Sequence, residues 1–128
     1  MKRDFIFRAF DGEIMLFYEP QTDEEYDYEW VELFFRKCQV MQFTGKYDKN
    51  KKPIYEGDIV KSDKNFYSTN LAEVRWLNDR CSFYFVAKTV GTDIINREPY
   101  ESAYKINSLK VEVIGNIYQN AELLQDAV

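Results

Sequence analysis

Residues 41–61, MQFTGKYDKNKKPIYEGDIVK, decide how this chain is read. A polar run rich in Lys, Asp and Asn leads straight into Tyr55-Glu56-Gly57-Asp58-Ile59-Val60. The glycine marks a bulge or tight bend, and the β-branched residues after it open a strand. That order predicts the first strand of a small, strongly curved barrel. Upstream, residues 39–44 read as a strand with Val40 and Gln42 on one face and Met41 and Phe43 on the other. Residues 45–53 read as a loop and 54–62 as the strand that opens the barrel. Downstream, 72–77 and 82–89 read as strands joined by a hairpin turn at Asn78-Asp79-Arg80. Residues 91–99 are irregular, 110–117 form the last strand, and Asn120 caps a short helix over 121–126 with its side chain. Five or six short strands in about eighty residues predict a mainly β protein, an SH3-like small β-barrel rather than βαβ units.

Ahead of the barrel, Phe5-Ile6-Phe7-Arg8-Ala9-Phe10 and Glu13-Ile14-Met15-Leu16-Phe17-Tyr18 are β-like runs joined by Asp11-Gly12. Asp-Gly between such runs predicts a hairpin with a type I′ turn, which needs positive φ at both central positions. Both runs are more continuously apolar than alternating, so each face should be covered. Residues 19–29 carry Asp23, Glu24, Glu25 and Asp27 with no cation, a solvated linker by charge density. Residues 31–37 place acids near their start and cations near their end, as a short helix prefers. The organisation is then an N-terminal β-hairpin and acidic arm over 1–39, the barrel over 40–118, and a short C-terminal helix over 119–128.

At 128 residues, with ten Phe, ten Tyr and two Trp, the chain supports one ordinary, aromatic core. Its net charge is −5. Residues 1–42 hold five Lys/Arg against ten Asp/Glu, while 43–118 hold twelve against ten. The barrel is therefore slightly basic, too weakly so to predict a phosphate-binding groove from charge alone. Cys38 and Cys81 are too few for a disulfide framework and suit a reducing compartment. The start lacks a signal peptide's apolar run, and no segment has the ~18 uncharged apolar residues of a membrane span. The expectation is a soluble intracellular protein.

Three segments, in order, resemble the YopX family of phage and prophage proteins. They are Phe7-Arg8-Ala9-Phe10-Asp11; Met41-Gln42-Phe43-Thr44-Gly45 with Asp48-Lys49-Asn50 and Ile54-Tyr55-Glu56-Gly57-Asp58-Ile59-Val60; and Glu112-Val113-Ile114-Gly115-Asn116-Ile117-Tyr118 with Glu122-Leu123-Leu124. The resemblance implies a β-barrel-type domain, phage or prophage origin and an unassigned function, and it supplies no catalytic residue. After Asp48-Lys49-Asn50 the family commonly has Gly where this chain has Lys51, a departure that predicts a different turn.

The chemistry written in the residues is sparse. There is no histidine, and the two cysteines lack the paired spacing of a zinc site. Asp48-x-Asn50 begins like an EF-hand loop, but Lys52, Pro53 and Ile59 stand where an oxygen ligand, a glycine and a bidentate glutamate belong. A polar turn is the better reading. Without an imidazole base the usual Ser–His and Cys–His nucleophiles are missing. Glu56 and Asp58 could share one side of an extended segment, yet Gly57 between them favours a bend in which Asp58 accepts local backbone N–H groups. The glycines are isolated, so no phosphate loop exists. These features predict no enzyme, metal or cofactor.

Binding is the remaining class. Arg75, Arg80, Tyr84 and Lys88 mix cations with aromatics on one hairpin, as single-stranded nucleic-acid binders do. Alternation instead sends Val74, Trp76, Phe83 and Phe85 into the core and leaves Arg75 and Tyr84 as a solvated face. The favoured expectation is a non-enzymatic interaction module that binds a host or phage protein. Its surface is the loop bearing Lys46, Lys49, Lys51 and Lys52, the turn around Arg80, or the edge of the N-terminal hairpin. A nucleic-acid-binding accessory role is the alternative, and the apolar hairpin also makes a homo-oligomer conceivable.

Overall fold

β-Branched and aromatic runs form strands, as expected for side chains that pack on a pleated surface. The computed structural model describes residues 7–18, 38–66, 69–92, 99–106 and 110–125. These hold nine strands: β1 (Phe7–Phe10), β2 (Met15–Tyr18), β3 (Gln39–Tyr47), β4 (Pro53–Tyr55), β5 (Asp58–Phe66), β6 (Thr69–Leu77), β7 (Ser82–Thr92), β8 (Pro99–Lys105) and β9 (Val111–Asn116). The protein is mainly β, and one helical turn, α1 (Glu122–Gln125), is the only helix among the described residues. Of the expected flanking helices, the C-terminal one over 121–126 is reduced to that turn. The acidic segment 19–29 and the expected helix over 31–37 lie outside the described residues, as do residues 93–98.

The chain divides into two compact units, Met1–Phe43 and Thr44–Val128. In the first, β1 pairs with β2 and with the opening half of β3, both antiparallel, placing Ala9 opposite Leu16 and Val40. Arg8 and Ala9 are successive residues and both are buried, so both faces of β1 are covered as its continuous apolarity implied. The outer strand differs: its Phe17 is 43% exposed, and Ile14 just ahead of the strand is 55% exposed.

The hairpin is present, but its turn is not type I′. Phe10 pairs with Met15, leaving a four-residue loop, and there only Gly12 has positive φ, at 106°. The Asp11 side chain takes over instead, its Oδ1 accepting the N–H groups of Ile14 (2.8 Å) and Glu13 (2.7 Å). Those two bonds hold the Asp11 carboxyl below the usual carboxylate range.

In the second unit β5, β6, β7 and β8 run as an antiparallel meander, and β9 returns beside β5, giving the order β8-β7-β6-β5-β9. One face of this sheet carries the core. Val60, Ala72, Val74, Phe85, Ala87, Val111 and Val113 join Ile54 and Phe66 there, with Tyr104 and Ile106 packed against them. Phe66 meets Phe85 edge-on at 5.8 Å and Tyr104 at 5.2 Å, the offset geometries that aromatic quadrupoles prefer.

The Gly57 bend sits as the sequence reading placed it. Gly57 has φ of 86°, its N–H donates to Val74 O (2.8 Å), and its carbonyl accepts from Ile117 N (2.9 Å). Asp58 is almost wholly buried and accepts the Tyr55 N–H at 2.8 Å, the local backbone role expected of it.

The loop after β3 is built around Asp48. β3 runs on through Gly45, at φ 84°, to Tyr47, longer than the sequence suggested. Asp48 Oδ1 accepts from Asn50 N and Lys52 N, both at 2.8 Å, and Oδ2 accepts from Val113 N at 3.0 Å. Lys49 N donates to Val111 O at 2.8 Å, so the loop is fastened along β9. Lys51 holds the left-handed φ of 65° that glycine accepts most readily. Lysine thus occupies a glycine-like turn here, and the departure at this position did not remove the geometry glycine would favour. A Lys51→Gly chain is expected to be more stable by about 1 kcal/mol, the usual relief for a side chain forced into this region. A shift in the urea midpoint checks it.

At the C-terminal end, Asn116 Oδ1 accepts from Tyr118 N (3.1 Å) and Gln119 N (2.9 Å). Asn120 precedes α1, but its side chain does not cap the helix as expected. It turns back to accept the Asn116 N–H at 3.2 Å, while its backbone carbonyl receives Leu123 N at 3.0 Å. Gly115 makes room for that carboxamide: a Cβ there would stand 2.6 Å from Asn120 Oδ1.

Candidate functional site

The β6–β7 hairpin aligns the residues that the sequence singled out. Its register places Val74 opposite Phe85, Arg75 opposite Tyr84 and Trp76 opposite Phe83. Val74 and Phe85 enter the core as alternation predicted. Trp76 and Phe83 share that face yet stay at its rim, stacked edge-to-face at 5.0 Å, with Trp76 42% exposed. The expectation that both would be core residues is corrected: the hairpin overshoots the core. Trp76 Nε1 donates to Asn78 Oδ1 at 2.8 Å, giving its one polar atom a partner beside the turn.

On the opposite face, β8 extends the row. Lys105 pairs with Tyr84, so Arg75, Tyr84 and Lys105 lie side by side across three strands. The Arg80 guanidinium sits over the Tyr84 ring at 5.0 Å, a cation–π contact. Arg75 is held by Glu73 through Nε–Oε2 (3.0 Å) and a second bond to Oε1 (3.3 Å).

A groove of about 260 Å³ opens where these elements meet the end of β3. Its floor and walls come from Phe83 and Tyr84 on β7 and from Lys105 and Ile106 at the end of β8, with Lys46 on β3. Thr44 and Ser82 complete the lining. Thr44 is also structural: its Oγ1 donates to Ile54 O at 2.7 Å and accepts Lys46 N at 3.2 Å, which fixes the backbone that carries Lys46. Lys46 and Lys105 are exposed, and among the described residues no carboxylate lines the groove.

Of the eight candidate residues, Lys46 and Tyr84 meet in this groove and Arg80 lies against it through Tyr84. The other loop lysines do not. Lys49 pairs with Asp63 at 3.0 Å, which raises the pKa of its ammonium group. Lys51 and Lys52 are exposed on the Asp48 turn. Lys88 takes its place opposite Glu101 in the β7–β8 ladder, and its side chain falls outside the described ones. Phe83 was expected in the core, Ser82 was read only as the start of a strand, and Lys105 and Ile106 were not singled out, since β8 was not legible as a strand.

Among the described residues no three His, Cys, Asp or Glu groups gather as metal ligands, and no helix is long and apolar enough to cross a membrane. The family model described as YopX protein matches residues 6–125 of the 128. No curated protein matches the chain.

Proposed function

We propose that this chain, which belongs to the YopX family, is a non-enzymatic interaction module of phage or prophage origin that binds a host or phage protein in the bacterial cytoplasm. The observation that carries the reading is the groove beside the β6–β7 hairpin, lined by Phe83 and Tyr84, whose rings contact Trp76 and Arg80 respectively. Trp, Tyr and Arg are the side chains that anchor protein interfaces most often. We read the second unit as an SH3-like barrel, supported by a meander whose last strand returns beside its first. Such folds host many binding functions on their loops, so the fold alone does not choose the partner.

A protein ligand fits this face better than single-stranded nucleic acid. Base stacking needs open ring faces and a line of cations. Here Tyr84 is covered by Arg80, Phe83 is engaged with Trp76, and Arg75 is held by Glu73.

The test is recovery of the tagged chain from lysate of its phage-carrying host, with and without nuclease. It is run beside a Lys46→Glu/Lys105→Glu double variant. The expected result is a protein partner that survives nuclease and is lost from the double variant. Partners that all disappear with nuclease would replace this reading by the nucleic-acid one.

A further inference from the structure

We infer that Asp11-Gly12, at the tip of the β1–β2 hairpin, is a modification site that rearranges to isoaspartate when the turn opens. The inference is independent of the protein-binding reading, because no residue lining the groove takes part. In this rearrangement the Gly12 nitrogen attacks the Asp11 side-chain carboxyl carbon. An N–C bond forms, the C–OH bond breaks, and water leaves with the amide proton, closing a succinimide ring. Water then adds to the ring carbonyl that came from the backbone and breaks its bond to the Gly12 nitrogen. The chain now runs through Asp11 Cβ and carries its former backbone carbonyl as a free carboxylate. Atoms balance with no reactant but water.

Sequence and turn together supply the site. Glycine hinders the attack least, having no side chain on the attacking residue. A Cβ at Gly12 would meet nothing within 4 Å, and residues 11–14 are all exposed, so water reaches the ring. The closed turn works against the reaction. Asp11 Oδ1 accepts from Glu13 N at 2.7 Å and Ile14 N at 2.8 Å, and Asp11 N donates to Ile14 O at 3.3 Å. Ring closure must draw the carboxyl off both amides and onto the Gly12 nitrogen. It must also protonate the carboxylate, and the same two bonds favour its ionised form. Exposed turns open locally at far lower cost than cores do, so the turn is a gate rather than a permanent block. After isomerisation the loop between Phe10 and Met15 is one backbone atom longer and its carboxylate is displaced, so the original turn does not re-form.

The test holds the full chain at neutral pH for several weeks and measures isoaspartate at position 11 by peptide mapping, with electron-transfer fragmentation to locate it. The chain unfolded in guanidinium chloride should accumulate the isomer steadily. The folded parent should do so roughly tenfold more slowly. Glu13→Pro removes one of the two amide donors and should isomerise severalfold faster than the folded parent. Asp11→Glu, whose longer side chain closes a less favourable ring, should form no isomer there. No isoaspartate at position 11 in the unfolded chain overturns the site. Equal rates in the folded and unfolded parent overturn the gate, as does a folded Glu13→Pro chain no faster than the parent. Should Glu13→Pro fail to fold, the ratio of folded to unfolded parent decides alone.

Discussion

Asp48→Ala is expected to cost about 3–4 kcal/mol, because one carboxylate satisfies three backbone N–H groups and leaving them bare carries the full desolvation penalty. The bonds from Asn50 and Lys52 shape the loop, and the bond from Val113 ties that loop to a strand 65 residues away. Asp48 is buried, so water does not replace it easily. Most domains are stable by only ~5–15 kcal/mol, so the variant should melt roughly 10 °C lower and unfold at markedly lower urea. Asp48→Asn keeps an acceptor for one side of the site but turns an NH₂ donor toward an N–H on the other. It should lose about half as much. A Asp48→Ala chain with the parent's urea midpoint would show that the carboxylate is dispensable.

Phe66→Ala should be equally damaging for a different reason. Phe66 is fully buried and contacts the rings of Phe85 and Tyr104. Truncation leaves a cavity that the surrounding sheet cannot close, at a cost of about 4 kcal/mol. Phe66→Leu retains most of the volume and should cost about 1.5 kcal/mol. Phe83→Ala, at a half-buried rim position, should cost less than Phe66→Ala. If the two alanine variants lost the same stability, the core would not be centred where the packing places it. Urea titrations of the three chains decide this.

Much of this architecture was legible because the decisive signals are local. Tyr55-Glu56-Gly57-Asp58 contains both the glycine for the bend and the carboxylate that bonds Tyr55 N–H, within four residues. The β6–β7 hairpin was likewise marked by alternating apolar residues around Asn78-Asp79-Arg80. What was not legible depends on distant partners. β8, reading Pro-Tyr-Glu-Ser-Ala-Tyr-Lys, has neither clean alternation nor an apolar run; it is a strand because β7 offers it a ladder. Missing β8 meant missing Lys105 and Ile106, and with them part of the groove. Asn120 illustrates the same limit at short range. Its type predicts a helix cap, but a competing N–H on Asn116 and the space left by Gly115 draw its side chain the other way.

The fastening of the Asp48 loop along β9 also bears on solubility. Among the described residues β5 is β9's only neighbour in the sheet, so the other side of β9 would present unpaired amide groups. Such an edge recruits further strands from other molecules and seeds aggregates. Here the Val113 N–H and the Val111 carbonyl are already taken by Asp48 and Lys49. The loop therefore acts as a guard as well as a connector, and the carboxylate that holds it in place also keeps the sheet finite.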